Sequence, residues 1–339
     1  MPLRSIFISI ACASTALVGA ATLANNASPA DIRAAYARPN PIDLQLEHAD
    51  TDAKRKLGKA LFFDTRFSGS QTLSCASCHE PEYSWTDAKA RAQGEGRAPL
   101  AYRSPTLLNV GYLDRLGWDG KFRSLEAVTF APITGSANMN LPEHVLIDRL
   151  STDEIYVKAF AEAFDDKKLN RSNIESALAA YERTLISGPA PFDRYIEGDA
   201  AALTPSALRG FELFQGKAQC SSCHSGWAFT DGSFHDIGTA VGSDVGRGRI
   251  FPTSVQLQYA FKTPTLRNVA IRAPYMHDGS ISTLRDVIDL YDRGGIDRPS
   301  RSVHIKPLGL SDTEKSDLIS FLKSLTEDTA PIAADATKR

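Results

Sequence analysis

Cysteine is scarce in this chain: five in 339 residues, too few for a disulfide-dense secreted scaffold. Methionine is scarcer, and beyond the first residues only Met139 and Met276 remain. A bias of charge is also missing. Lys and Arg number 38 against 40 Asp and Glu, a formal net charge of -2, so neither nucleic acid nor an anionic membrane surface is indicated as a partner. Long apolar runs are absent except at the start, where Ile6 to Ala24 carries no charge, follows Arg4 and ends in small residues. That is the shape of a secretory signal peptide over residues 1–24, cleaved after Ala20 or Ala24. As a membrane anchor the run would insert only marginally, being rich in Ala and Ser and thin in Leu. Strand signals are few, and helices joined by long loops dominate, so the fold class expected is mainly α with little sheet.

Four of the five cysteines fall into one pattern used twice. Cys75-Ala76-Ser77-Cys78-His79 and Cys220-Ser221-Ser222-Cys223-His224 each place two thiols three apart with a histidine directly after. This pattern attaches a c-type haem: the thiols bond to the porphyrin edge and the histidine ligates the iron. A structural zinc site would want its ligand pairs a dozen or two residues apart, and a redox dithiol has no use for the histidine. The expectation is two covalently bound haem c groups. Export agrees with it, since c-type haem is attached outside the cytoplasm, and the expected location is the periplasm.

Taken in order, residues 27–41 are rich in Ala, Pro and Asn and read as a poorly ordered lead-in. Thr51 to Phe63 reads as a capped helix with Leu57, Ala60 and Leu61 on one face. Glu80 to Tyr102 reads as a loop over the haem edge. Ile174, Ala177, Leu178, Tyr181 and Leu185 recur at helical spacing, and Ser187 to Pro191 ends that helix. Thr204-Pro205 opens another, and Ser311 with Glu314 forms a capping box for a last one. From Glu327 the residues are small and polar and read as a disordered tail.

An internal repeat runs through this order. Pro105-Thr106-Leu107-Leu108-Asn109-Val110 matches Pro264-Thr265-Leu266-Arg267-Asn268-Val269, and Asp119-Gly120 matches Asp278-Gly279. Gly58 with Leu61-Phe62 matches Gly210 with Leu213-Phe214. A repeat of this kind implies two cytochrome c-like haem domains made by duplication, expected at residues 25–190 and 191–326 with a tail at 327–339.

The repeat also bears on the sixth position of each iron, which decides between electron transfer and small-molecule chemistry. Alignment on the Asp-Gly pairs sets Trp118 opposite His277 and Pro132 opposite Tyr291. Proline cannot ligate iron and tyrosine can, as phenolate, so the first haem would be open and the second closed. Met276 and His277 are rival ligands for the second iron, and a buried tyrosine with its hydroxyl paired is the ordinary reading of Tyr291.

Leu57-Gly58-Lys59 with Leu61-Phe62-Phe63-Asp64, both CxxCH motifs, Trp118-Asp119-Gly120, Tyr181-Glu182-Arg183-Thr184-Leu185, Pro191-Phe192-Asp193-Arg194-Tyr195 and Ala273 to Ser280 together resemble the bacterial dihaem cytochrome c peroxidase family, which includes MauG. The resemblance spans nearly the whole chain after the signal. It implies a periplasmic oxidoreductase in which an open N-terminal haem meets hydrogen peroxide and a six-coordinate C-terminal haem relays electrons. The electrons would come from a small periplasmic donor protein, a cytochrome c or a cupredoxin. Trp118 matches a tryptophan that lies between the haems, and tyrosine at the position of Tyr291 marks the MauG branch, whose members oxidise side chains of a partner protein. A dihaem electron carrier without peroxide chemistry is a third reading. The chain departs from the family at three points. The loop from Glu80 to Tyr102 lacks the histidine that caps the resting N-terminal haem in other members. Asn138 replaces the distal glutamate, so its amide can hydrogen-bond peroxide but cannot take its proton, a task left to water or another carboxylate such as Glu143. The family's inter-domain calcium keeps backbone oxygens at Arg272 and Pro274, but its asparagine ligand is replaced by Arg103.

Overall fold

The computed structural model describes residues 29–40 and 48–328. The expected signal peptide, Cys12 and residues 329–339 of the expected tail lie outside the described residues.

Among the described residues ten α-helices are joined by long loops and 3-10 turns, with one short antiparallel pair, β1 (Phe234–His235) and β2 (Phe261–Lys262). The fold is mainly α. In the first half α2 (Asp52–Phe62) lies along α6 (Arg171–Glu182), and α3 (Leu125–Thr134), α4 (Glu143–Ser151) and α5 (Glu154–Ala163) complete the helical set. In the second, α8 (Pro205–Gln215) lies along α10 (Asp312–Lys323), with α7 (Pro191–Glu197) and α9 (Leu284–Arg293) beside them. Each long pair crosses at a glycine because the backbones approach too closely for a side chain. A Cβ on Gly58 would lie 1.8 Å from the Ala177 carbonyl oxygen, and one on Gly210 would lie 2.0 Å from that of Asp317.

The duplication is visible in the backbone. Asn109 and Asn268 both take the left-handed conformation, each followed by a 3-10 turn, Val110–Tyr112 and Val269–Ile271. Isolated bridges Leu116 to Phe122 and Tyr275 to Ile281 correspond. Ser124 and Thr283 then cap α3 and α9 in the same register, accepting from Ala127 N and Asp286 N at 3.1 Å each. Pro132 and Tyr291 therefore occupy equivalent places in the last turns of equivalent helices.

Two apolar clusters form the interior. One gathers Leu57, Leu61, Phe62, Phe67, Trp85 and Tyr181, and the other is built around Phe192, Phe211, Phe214, Phe229 and Phe321. The phenylalanine rings of the second meet at centroid distances such as 4.9 Å for Phe214 with Phe321, and each such pair contributes about 0.5–1.5 kcal/mol beyond area burial. Two expectations are corrected here. The lead-in is not structureless: α1 (Pro29–Tyr36) is helical, and Tyr36 is buried in the second cluster against Phe192, Phe211 and Phe229. Tyr36, together with Arg38, whose Nη1 donates to the Gly188 carbonyl at 2.6 Å, holds this stretch, and an alanine-rich composition does not advertise such long-range contacts. The tail does not begin at Glu327, which is buried. Glu327 accepts from Asn268 Nδ2 at 2.6 Å and donates its own N-H to Asn268 Oδ1 at 2.9 Å, tying the chain end to the left-handed turn of the repeat.

Asp64 directs the chain from α2 toward the first motif. Its oxygens accept from Arg66 N at 2.8 Å, Arg66 Nη2 at 2.7 Å and the Tyr156 hydroxyl at 2.7 Å. Burial pushes the carboxyl up, but the bonds from Arg66 and Tyr156 outweigh it and hold Asp64 below the usual carboxylate range. A depressed folded value means the stabilisation is in place above the unfolded carboxylate value and fades as pH falls through the folded one. Asp64→Asn is therefore expected to cost about 1.5–3 kcal/mol at neutral pH. The gap from the parent should narrow steadily in acid, and denaturant unfolding of both proteins across that range checks it.

Candidate haem sites

Each CxxCH segment folds as a single 3-10 turn. Cys78 N and His79 N donate to the Cys75 carbonyl at 3.2 and 3.1 Å, and Cys223 N and His224 N donate to that of Cys220 at 3.2 and 2.9 Å. Both cysteines and the histidine are thus held within one turn. The imidazoles are oriented alike: Nδ1 of His79 meets the Trp85 carbonyl at 3.2 Å and Nδ1 of His224 meets that of Phe229 at 3.0 Å. A carbonyl takes only a proton donor, so Nδ1 carries the hydrogen and Nε2 is left with a lone pair for a metal. Burial, only partly offset by those carbonyls, lowers both imidazoles below their usual range and keeps them neutral. All four thiols are free rather than paired as disulfides. Burial pushes Cys75 far above the usual thiol range and Cys220 up to about 12.

Tyr291 lies in the last turn of α9, and burial together with the Cys220 and Cys223 sulfurs pushes its phenol well up. Pro132, its counterpart on α3, carries no ligating atom; its carbonyl accepts from Met139 N at 3.0 Å. Met276 is half-buried in a left-handed turn at the place of Gly117 in the first half. His277 is tied elsewhere: Nε2 pairs with Asp244 Oδ2 at 2.7 Å and its ring stacks on Phe261 at 3.7 Å. Trp118 bridges the halves. Its Nε1 donates to the Arg103 carbonyl at 3.0 Å, its own carbonyl accepts from Lys262 N at 2.8 Å, and its ring meets His277 edge-on at 6.4 Å. Asp244, which orients His277 and also accepts from the Tyr102 hydroxyl at 3.2 Å, was not singled out by sequence. It belongs to a long loop with no repeat partner.

Two arginines lie buried at this junction. Arg103 Nη2 donates to the Arg272 carbonyl at 3.0 Å, and Arg272 Nη2 donates to that of Thr265 at 2.6 Å. The Nε of each is buried with no acceptor among the described residues. Burial and the neighbouring Arg103 push Arg272 down to about 9. Two adjacent unpaired cations call for anions, and haem propionates are carboxylates of that kind, so the junction fits a dihaem protein. It does not fit calcium. The Arg272 carbonyl is occupied by a guanidinium, and a second cation beside it repels a divalent ion. A further acidic group, Cys223 with Asp231 and His235, has ligand atoms within 4.8 Å of one another, but Cys223 belongs to the haem motif.

Around the first site, Asn138 sits half-buried in the turn after α3, its N-H on the Gly135 carbonyl at 2.9 Å. Glu143 does not join it: that carboxylate pairs with Arg171 at 2.8 Å on the surface. Glu143 is the first residue of α4, and Arg171 over the Phe130 ring draws it outward.

Two histidine-bearing motifs of free thiols, one in each half of a duplicated helical fold, define a c-type dihaem oxidoreductase. A family model described as di-haem cytochrome c peroxidase matches residues 52–201, and one described as cytochrome c matches residues 207–326. The chain is 44% identical over 327 residues to the methylamine utilization protein MauG of Methylorubrum extorquens, covering 95% of this chain and 93% of that one. It is 31% identical to the cytochrome c551 peroxidase of Pseudomonas aeruginosa, covering 96% and 92%. Among solved structures, a MauG-like protein associated with microbial copper homeostasis superposes with a TM-score of 0.80 at 29% identity, covering 89% of this chain and 97% of that one. The chain belongs to the dihaem cytochrome c peroxidase and MauG family, and it carries two covalently bound haems.

Proposed function

We propose that this protein is a periplasmic peroxide-dependent dihaem oxidoreductase in which hydrogen peroxide is reduced at the first haem and the second haem relays electrons to it. The observation that carries the reading is the equivalence of Pro132 and Tyr291 in the last turns of α3 and α9, with no ligating atom on the one and a phenol beside Cys220 and Cys223 on the other. Cys75, Cys78 and His79 would hold one haem and Cys220, Cys223 and His224 the other. When bound, the haem pair would supply the one-electron redox chemistry that passes the donor's electrons to peroxide. The chain's own residues do the rest. Trp85 and Phe229 fix the imidazoles, Arg103 and Arg272 offer charge to propionates, Asn138 can hydrogen-bond peroxide, and Trp118 supplies a packed contact between the halves.

A reduced small c-type cytochrome or cupredoxin should be oxidised by the holoprotein only when peroxide is added, two donor molecules per peroxide. No oxidation above a haem-free control would overturn the reading. A second reading, peroxide-driven oxidation of tyrosine or tryptophan side chains on a partner protein, is favoured by the 44% identity to a MauG. A mass change in the partner that requires peroxide distinguishes it.

The Arg103 geometry carries a further expectation: elemental analysis should return no stoichiometric calcium, and chelator should leave the resting absorbance spectrum unchanged. Arg103→Asn frees the Arg272 carbonyl and removes a cation, so that variant should acquire a calcium response.

A further inference from the structure

Asn138 cannot carry a proton and Glu143 faces Arg171, yet the first site is not without a carboxylate. After His79 the chain passes the imidazole at Trp85 and then turns back. The Gln93 carbonyl comes within 3.9 Å of Cys78 Sγ, and residues 93–99 close a tight hairpin through the bridge of Gln93 with Pro99. The tip of that hairpin rests on the turn that holds Asn138. Glu95 N donates to the Asn138 carbonyl at 2.6 Å. Gly94 makes the approach possible, since a Cβ there would lie 1.8 Å from the Ala137 carbonyl oxygen. The Glu95 carboxylate is fixed by one oxygen only: Oε1 accepts from Ser70 N at 2.8 Å, while Oε2 is buried and meets no donor among the described residues. A buried carboxylate oxygen left without a donor costs about 1–3 kcal/mol.

We propose that Glu95 is the proton-transfer carboxylate of the first haem site, working beside Asn138. The proposal rests on the peroxide reading above. Peroxide with two electrons and two protons gives two waters. The electrons arrive through the haems, and Glu95 accepts the proton of one peroxide oxygen and returns it to the other as the O–O bond breaks, ending unchanged. Asn138 orients the peroxide.

Glu95→Gln keeps the acceptor for Ser70 N and removes only the titratable oxygen. Two rates are read on the ferric holoprotein by stopped flow: reaction with peroxide, and binding of cyanide, which arrives as HCN and must leave its proton in the pocket. Both should slow roughly 10²-fold or more, the lower end of what a positioned acid-base group contributes, and lose their pH dependence. Glu95→Asp should recover part of both. Unchanged rates and pH profiles in Glu95→Gln would overturn the proposal. Should that variant disturb the resting spectrum, Glu95→Asp decides, with a displaced pH profile supporting the assignment and an unaltered one overturning it. If the parent protein ignores peroxide, the functional reading fails separately, and the cyanide comparison still judges Glu95.

Discussion

Replacing Tyr291 with phenylalanine is expected to convert the low-spin component of the resting ferric protein to high spin. It should also raise the potential of the second haem by a sizeable part of the roughly 0.8 V that axial ligands command. Tyr291 holds the place on α9 that Pro132 holds on α3, and α9 is seated by Leu284 and Ile288 in the second cluster. The phenol is half-buried, and the Cys220 and Cys223 sulfurs of the second CxxCH motif act on it. Burial alone disfavours phenolate, so only a metal cation at that place would draw the proton off, and an anionic ligand then favours Fe(III) over Fe(II). Electron paramagnetic resonance and a spectroelectrochemical titration read both effects. Unchanged spectra would make Tyr291 an ordinary buried tyrosine.

The second large effect is on folding. Gly58→Ala and Gly210→Ala each place a methyl group 1.8 or 2.0 Å from a backbone carbonyl oxygen of the partner helix. Backbone cannot rotate aside as a side chain tip does. The helix pair must separate, and overpacking of this kind reaches or exceeds the upper end of the usual range of about 1–3 kcal/mol. Each variant should unfold at markedly lower denaturant than the parent and accumulate with one haem under-attached, Gly58→Ala in the first half and Gly210→Ala in the second. Denaturant titration and haem staining of proteolysed halves check this. A loss below about 0.5 kcal/mol, the level of a surface substitution, would contradict the crossing.

These two glycines show what was legible in the sequence. They stood out only as matching letters upstream of two CxxCH motifs, and the structure supplies the reason for the match. The motifs themselves, the Asp-Gly register and the caps at Thr51 and Ser311 were readable because local chemistry sets them. What sequence did not give are contacts between segments distant along the chain. Tyr36 packs on Phe192, Phe211 and Phe229, Glu327 is buried on Asn268, and His277 is claimed by Asp244. Glu95 and Arg103 belong with these. Each lies in or at the end of a loop without periodicity, and its role follows from a carbonyl on another segment, Asn138 for one and Arg272 for the other. Composition and spacing carry no information about such pairings.

The central claim is that one haem is open to peroxide, the other is closed by Tyr291, and the second gives up electrons to the first. Freeze-quench electron paramagnetic resonance of the diferric protein tests this most directly, before and after one equivalent of peroxide. The account predicts one high-spin and one low-spin ferric signal at rest, both lost together on peroxide addition and both restored by a reductant. Two low-spin signals at rest, or loss of the high-spin signal alone, would contradict it.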